Sequence, residues 1–442
     1  MHTINVYQQL FTHSFMKKIS FLLLFCICAV FVSAQLSITG NHLLIGKKIG
    51  NDSVTVILFD SISSSTTISY AGTNVRFYKY TDANSNTNPI YPSLSPDDAT
   101  GYIIKVDDIP TDTIWVIDYK LYKPFSIEPE FNPTAQCQNV LLNLSVPEIS
   151  YQTIDKKKYV LPRDFNIKYQ TLKWEGTDWG KTDTIVTLTL PKSQESVPAP
   201  YCNTIFTLYG DQYAADLGID TVSVSSKDYI TNAVICNLTT VVSDRTHEKN
   251  NEANAPDNTA ADLSFSAPID IQFLSNPSDA VSFFNWNIYK DGQLIINRND
   301  RDHRYTFSDQ GDYVVKVNVS NSTCSYSDSI KITAYEAAIQ VPKVFTPNGD
   351  NLNDEFRVAY KSLLSFECWV SNRWGRKVFY WNDPQKGWNG KIGRADAAEG
   401  PYFYIIKATG YGLKPDPKNP GAKVKSTIIL KGDITLLRGL KK

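Results

Sequence analysis

The chain has 442 residues, enough for about three domains of ordinary size, and for more if the modules are small β units. Its 44 Lys and Arg nearly balance 45 Asp and Glu, which excludes a basic face that binds nucleic acid by bulk charge. Seven Cys in so long a chain exclude a disulfide-framework miniprotein.

Residues 16–34 read MKKISFLLLFCICAVFVSA. Lys17 and Lys18 form a basic start, Ile19 to Val32 is almost wholly apolar, and Val32-Ser33-Ala34 has the small-residue pattern of a cleavage site. The expectation is a secretory signal over 1–34, with the true start at Met16, cut between Ala34 and Gln35. The apolar run is short for a membrane span of about 20 residues, so no transmembrane span is expected in the mature chain. Cleavage removes two Lys and two Cys, leaving 42 basic residues against 45 acidic, a net charge of −3, and Cys137, Cys202, Cys236, Cys324 and Cys368. An odd cysteine count leaves at least one thiol unpaired within the chain. Any two of Cys137, Cys202 and Cys236 could bridge, and buried free thiols are an equally good reading.

Beyond the leader the pattern alternates every two residues. SVTVILF (53–59), TIWVIDY (113–119), TIVTLTL (184–190), YVVKVNV (313–319) and STIILKG (426–432) read as strands rich in Val, Ile, Thr and Tyr. Turn clusters such as DANSNTNP (82–89), YPSLSPDD (91–98) and NRND (297–300) separate them. No strong amphipathic helix of normal length is present. Many short strands with frequent turns predict an all-β chain of tandem immunoglobulin-like β-sandwich modules. The expected divisions are a module at 35–122, a second at 123–192, a β module with a polar linker at 193–260, a sandwich at 261–336 and a last domain at 337–442. The stretch 247–263, polar and poor in large apolar residues, reads as exposed linker.

Two stretches carry more specific patterns. In the fourth module, Tyr305, Phe307, Gly311 and Tyr313 frame a short strand, an Asp/Gly turn and a longer strand, and Trp286 lies upstream before Asp291-Gly292. These residues resemble the polycystic-kidney-disease (PKD) repeat family, an immunoglobulin-like β-sandwich, though only the Trp and the later Asp-Gly survive of that family's usual WDFGDG segment. The resemblance implies an extracellular spacer or interaction module. The residues themselves place Trp286 in a core and Asp309–Gly311 in a turn.

The last domain opens on Phe345-Thr346-Pro347-Asn348-Gly349-Asp350, followed by Asn353-Asp354 and Phe356. Asn372-Arg373-Trp374-Gly375 follows, then Trp388 and Gly390, Gly400, Tyr402 and Tyr404, and finally Leu437-Arg438. In order and spacing these resemble the gliding-motility-associated C-terminal domain of Bacteroidetes, the type B sorting domain of the type IX secretion system. The resemblance implies a small β-sandwich sorting domain, export through the periplasm, handling by the type IX secretion machinery, and a secreted or outer-membrane cell-surface location. Asn351 stands where that family usually has Gly, and Asn389 where Asp is usual. Read directly, Pro347 to Asp350 is a turn, with Pro fixing φ and Gly supplying a positive φ. The acidic run 350–355 fails the alternate-oxygen spacing of a calcium loop at Leu352 and reads as an Asx-rich turn.

Asp-Ser/Thr-aliphatic triplets place Ser53, Ser61, Thr113, Thr184, Thr221 and Ser329 in a pattern that resembles the O-glycosylation acceptor of exported Bacteroidetes proteins. The same triplets arise wherever a turn Asp meets a Thr/Ile strand. Catalytic signatures are missing: His247-Glu248 lacks the second His of a zinc helix, and there is no GxSxG, P-loop, dinucleotide fingerprint or CxxC. His42, His247 and His303 read as surface residues. Trp174 and Trp179 suit either sugar stacking or packing. The combined expectation is a non-catalytic structural or adhesive protein of the cell envelope, without cofactor, metal or nucleic-acid partner, meeting surface glycans or envelope proteins. A carbohydrate-binding protein and a hydrolase with its site in 35–260 are the alternatives.

Overall fold

The computed structural model describes residues 35–49, 52–81, 88–130, 137–220, 222–245, 251–259, 263–414 and 424–438. The leader with Ala34, as well as Thr221 and His247, lies outside the described residues. Among those described, strands dominate. The helices are one turn of 3-10 helix, Tyr119–Tyr122, and the five-residue Gln212–Asp216. The five strands predicted by alternation all form, most of them extended by several residues at one end or both, as Asp52–Phe59, Ile109–Asp118, Trp179–Leu190, Gly311–Ser320 and Lys425–Leu436.

The chain resolves into two compact units, the first taking in residues up to 172 with 181–231, the second 173–180 with the chain from 232 onward. In the first unit a five-stranded sheet runs in the order His42–Ile49, Asp52–Phe59, Ile109–Asp118, Thr100–Val106, Arg76–Lys79, beside the pair Leu36–Thr39 and Thr67–Tyr70. Asp52–Phe59 pairs in parallel with Ile109–Asp118, Thr55 opposite Ile114. Residues 54–59 are all buried, because both faces of this central strand are covered. Ile57 and Phe59 face a core with Ile68, Phe77 and Tyr102. Val54, Val56 and Leu58 face a second core with Tyr151, Leu161, Tyr213 and Ala214. The first β module and the one that follows it therefore share a core.

That following module pairs Gln194–Pro198 with Asn139–Ser145 and Ser126–Pro129 in one sheet. Its other sheet runs Trp179–Leu190, Arg163–Trp174, Thr207–Gly210, Val222–Ser225. Strands from both sides of residue 192 thus share both sheets. Alternation along each strand could not show this, because pairing partners lie about 50 residues apart in sequence.

In the second unit a sandwich packs Thr239–Val242, Ile269–Leu274 and His303–Phe307 against a five-stranded sheet built around Phe283–Lys290, Gly311–Ser320 and Ser325–Ala334. Trp286, Ile288, Phe307, Val315 and Val317 fill its core. Asp291 and Gly292, both at positive φ (49° and 82°), make the tight turn out of the Phe283–Lys290 strand that the Asp-Gly pair predicted.

The last domain is a five-stranded sheet in the order Val344–Phe345, Lys425–Leu436, Gly400–Tyr411, Leu363–Ser371, Lys377–Trp381. It abuts the preceding sandwich through hydrogen bonds. The buried Ser362 N–H donates to Ser266 Oγ (2.7 Å), and the Ala267 N–H donates to Ser362 Oγ (3.0 Å). The Ala337 N–H donates to Tyr411 O (2.8 Å). Residues 251–254, expected as exposed linker, are pinned here. Asn251 Nδ2 donates to Pro384 O (2.7 Å), the Ala253 N–H donates to Tyr360 O (2.6 Å), and buried Glu252 pairs with Arg245 at 2.6 Å. Polar composition suggested solvent, but here the Asn251 amide N–H groups, the Glu252 carboxylate and the Ala253 N–H find partners inside the fold.

Candidate functional site

The last domain concentrates the predicted site residues. Its sheet has one covered face, and the core there is aromatic: Phe345, Phe356, Trp381 and Trp388 are buried together, with Phe345 5.4 Å from Trp388 and Trp388 4.8 Å from Tyr402 between ring centroids. Trp388 is fully buried, and its indole N–H donates to Lys391 O (2.8 Å). Tyr402 is buried and its hydroxyl donates to Ala398 O (2.9 Å). Tyr404, half-buried, lies 5.7 Å from Phe356. Gly390, at φ +72°, allows close packing, since a Cβ there would sit 2.9 Å from Pro347 Cγ and 3.1 Å from Leu436 Cδ1. Gly400, at φ +129°, begins the long strand Gly400–Tyr411.

The turn after Phe345 is a nest of local hydrogen bonds. The Asp350 N–H donates to Asn348 Oδ1 (3.1 Å), and the Leu352 N–H donates to Asp350 Oδ1 (2.8 Å). The Asp354 carboxylate accepts the N–H groups of Gly349 (2.7 Å) and Asn351 (2.8 Å). Gly349, Asn351 and Asn353 all adopt positive φ, and Asn353 O accepts from the Thr346 N–H (2.8 Å). These carboxylates and amides order backbone, as Asx turns do. Among the described residues no group of three or more His, Cys, Asp or Glu is placed to hold a metal ion. Arg438 closes the domain from its other end, its guanidinium donating to Gly390 O (2.7 Å) and to Ala397 O (3.3 Å). Leu437 is exposed, while its N–H donates to Phe345 O (3.1 Å). Thus the first and last segments meet in space.

Asn372 to Gly375 lie apart from this core, at the hairpin joining Leu363–Ser371 to Lys377–Trp381. Asn372 Oδ1 accepts the N–H groups of Trp374 (3.1 Å) and Arg376 (3.0 Å), and Gly375 takes φ +79°. Trp374 is 75 % exposed, with the Arg373 guanidinium 4.4 Å above its ring.

In the upstream sandwich the residues Trp286, Tyr305, Phe307, Gly311 and Tyr313 come together. Phe307 stacks edge-on with Tyr305 and with Tyr313, each at 4.8 Å. Trp286 is fully buried, its N–H donating to Asp300 O (2.9 Å). The Tyr313 hydroxyl donates to Asp309 O (2.9 Å), four residues back, in the manner of a tyrosine corner, and Gly311 opens the strand at φ +148°. Of the triplet hydroxyls, Ser53 and Ser329 are exposed and Ser61, Thr113 and Thr184 half-buried. The Asp of the triplet accepts the following N–H at Ser61, Thr113 and Ser329. Cys236 and Cys368 are buried thiols, and burial pushes Cys236 up to about 12. Half-buried His42 and His303 bond to Gly40 O and Asp300.

Two features escaped the sequence. Arg163 and Asp211 form a buried ion pair at 2.5 Å, their side chains 2 % and 0 % exposed. Arg163 also donates to Tyr122 O (2.8 Å) and Pro147 O (2.9 Å), and the Tyr119 hydroxyl donates to Asp211 (2.7 Å). Desolvation, with the Asp211 charge beside it, pushes the Tyr119 phenol well up. The second feature is a cleft of about 710 Å³ in the first unit, lined by Lys168, Gln170, Asp183, Asn203, Asp228 and Tyr229 among others. Lys168 bonds Asp183 at 2.8 Å and keeps its carboxyl below the usual range. Trp174 and Trp179 are not at this cleft. They pack on each other at 5.2 Å, and Trp179 Nε1 donates to Asn276 O (2.9 Å).

Residues 339–419 match the CHU_C type IX secretion signal domain, and residues 130–226 match a fibronectin type III domain. The chain therefore carries a type IX secretion signal domain behind fibronectin type III and immunoglobulin-like sandwiches. The fibronectin match spans residue 192, as the sheets do. No curated protein matches the chain. Among solved structures it is similar to three N-terminal domains of the bacteriophage RB49 outer capsid protein Hoc at 10 % identity, covering 71 % of this chain and 99 % of that one at a TM-score of 0.19. It is similar to Sidekick-1 immunoglobulin domains 1–5 at 10 % identity, covering 90 % and 81 % at 0.22. It is similar to the N-terminal four Ig domains of Dscam1 at 13 % identity, covering 92 % and 100 % at 0.20. Likenesses this loose bear on neither function nor arrangement.

Proposed function

We propose that the protein is exported by the type IX route and stands at the cell surface or outside the cell as a non-catalytic structural or adhesive element built of β-sandwiches. The observation that carries this reading is the secretion signal domain at 339–419, a role in export rather than chemistry. A cleaved leader at 16–34 would supply the first membrane crossing. No helix among the described residues is long and apolar enough to cross a membrane. Exposed Ser53 and Ser329 would be the favoured sites of glycosylation among the triplets. The test is export in a bacterium that runs type IX secretion. Deleting 337–442 is expected to remove the protein from the surface and medium and leave it in the periplasm. Undiminished surface display of the truncation overturns the export reading. Cells lacking the whole protein are expected to attach more weakly to glass or to each other, and unchanged attachment overturns the adhesive role.

A second reading, carbohydrate binding, is favoured by the polar cleft of Lys168, Gln170, Asp183, Asn203 and Asp228. A glycan array probed with the full chain and with Asp228→Ala decides it, since binding that the substitution abolishes would support this reading.

A further inference from the structure

We infer that the hairpin tip 372–376 of the secretion signal domain is the surface by which an acidic protein of the export machinery grips this chain, with Trp374 as its anchor. The inference rests on the export reading above. Four Trp lie in this domain, and the fold treats them differently. Trp381 and Trp388 are buried and Trp369 is half-buried on the open face of the sheet, while Trp374 is 75 % exposed. Exposure of one large apolar side chain is ordinary; a rigidly presented one is not. Asn372 Oδ1 holds the N–H groups of Trp374 and Arg376, the Asn372 N–H donates to Arg376 O (3.0 Å), and the Gly375 N–H donates to Asn372 O (2.9 Å). The turn is fixed by its backbone and the Asn372 side chain, so nothing about the fold requires an indole at its tip. Such preorganisation lowers the entropy lost when a partner closes on the side chain.

The surroundings state the partner's chemistry. Arg373, Arg376 and Lys377 carry three positive charges within five residues, and among the described residues no carboxylate pairs with them. Arg373 instead lies over Trp374 at 4.4 Å and Lys377 over Trp369 at 5.8 Å. The open face continues the apolar surface, with Trp369 5.5 Å from Tyr380 and exposed Ile405 opposite Trp369 in register. An aromatic and Arg anchor, backed by apolar surface and ringed by unpaired cations, fits an acidic protein groove with an apolar slot for the indole.

The test expresses full-length Trp374→Ala and the charge reversal Arg373→Glu/Arg376→Glu in a type IX-secreting bacterium. The ratio of periplasmic to surface protein is measured beside the melting temperature of each purified chain. The expected result is a rise in that ratio of at least about tenfold for both, with melting unchanged and partial rescue by Trp374→Phe. A ratio within about twofold of wild type for both variants overturns the inference. Deletion of 337–442 runs in parallel. If the deletion is retained and the tip variants are exported, only this inference fails; if the deletion too is exported, the export reading fails with it. A lipid surface is the competing occupant. Co-sedimentation of the full chain with phosphatidylglycerol vesicles, lost on Trp374→Ala, overturns the protein partner, and absence of co-sedimentation supports it.

Discussion

The two units contain different joints between neighbouring β modules. In the first, a central strand buried on both faces gives Val54, Val56 and Leu58 to a core shared with Tyr151, Leu161 and Tyr213, and the Arg163–Asp211 pair lies buried beside it. In the second, the joint beside the secretion signal domain is made largely of hydrogen bonds: Ser266 with Ser362, Ala337 with Tyr411, Asn251 and Ala253 with the 358–384 region. Apolar burial scales with area and does not depend on direction, whereas each hydrogen bond exchanges with water for a net gain of about 1 kcal/mol. The first joint therefore ties two modules together through one shared core. The second sets an orientation for the export domain at smaller energetic cost, so the two joints should fail differently.

The largest expected effect is at the first joint. Arg163→Ala strands the Asp211 carboxylate in the interior and should destabilise the first unit by about 3–5 kcal/mol, read as a lower urea midpoint. An effect under about 1 kcal/mol would show the pair to be dispensable and erase the contrast. At the second joint, Ser266→Ala leaves the buried Ser362 N–H without its acceptor and should cost about 1–3 kcal/mol, confined to the second unit's transition. Asn251→Ala removes donors to two carbonyls and should cost less, about 0.5–1.5 kcal/mol, with proteolytic nicking within residues 251–259 as the readout. The last effect appears only in alkali. Tyr122 and Tyr213 are pushed up to about 12, first by desolvation and then by the Asp98 and Asp211 charges respectively. An unfolded phenol loses its proton near pH 10 while these keep theirs, so the unfolded state binds fewer protons and stability falls between pH 10 and 12. The second joint has Tyr360, also pushed up to about 12, in a comparable place. The midpoint of each unit should therefore fall over that interval, and Tyr122→Phe should make the first unit's fall shallower.

How far the site could be read in advance depended on sequence distance. The Asx turns of 348–354 involve partners no more than five residues apart, and Asn348, Asp350 and Asp354 carry the needed oxygens where chain chemistry alone places them. The hairpin turn at Asp291-Gly292 is local in the same way. Arg163 and Asp211 stand 48 residues apart on elements with no shared pattern, and a buried charge leaves no periodic mark. Residues 251–254 looked like solvent-facing chain because polarity in a sequence does not say whether the partner is water or protein.

Alternating apolar residues determined that this protein is built of strands, because side chains on a pleated strand point to opposite faces and only one pattern buries them. The ordered motifs of its last hundred residues also determined its type IX secretion signal domain. Tertiary structure alone decided which strands share sheets across residue 192 and which modules share a core. It also decided that Trp388 is a buried packing element while Trp374 stands in solvent. Both are tryptophan beside glycine, and burial belongs to the surfaces that meet, not to the residue.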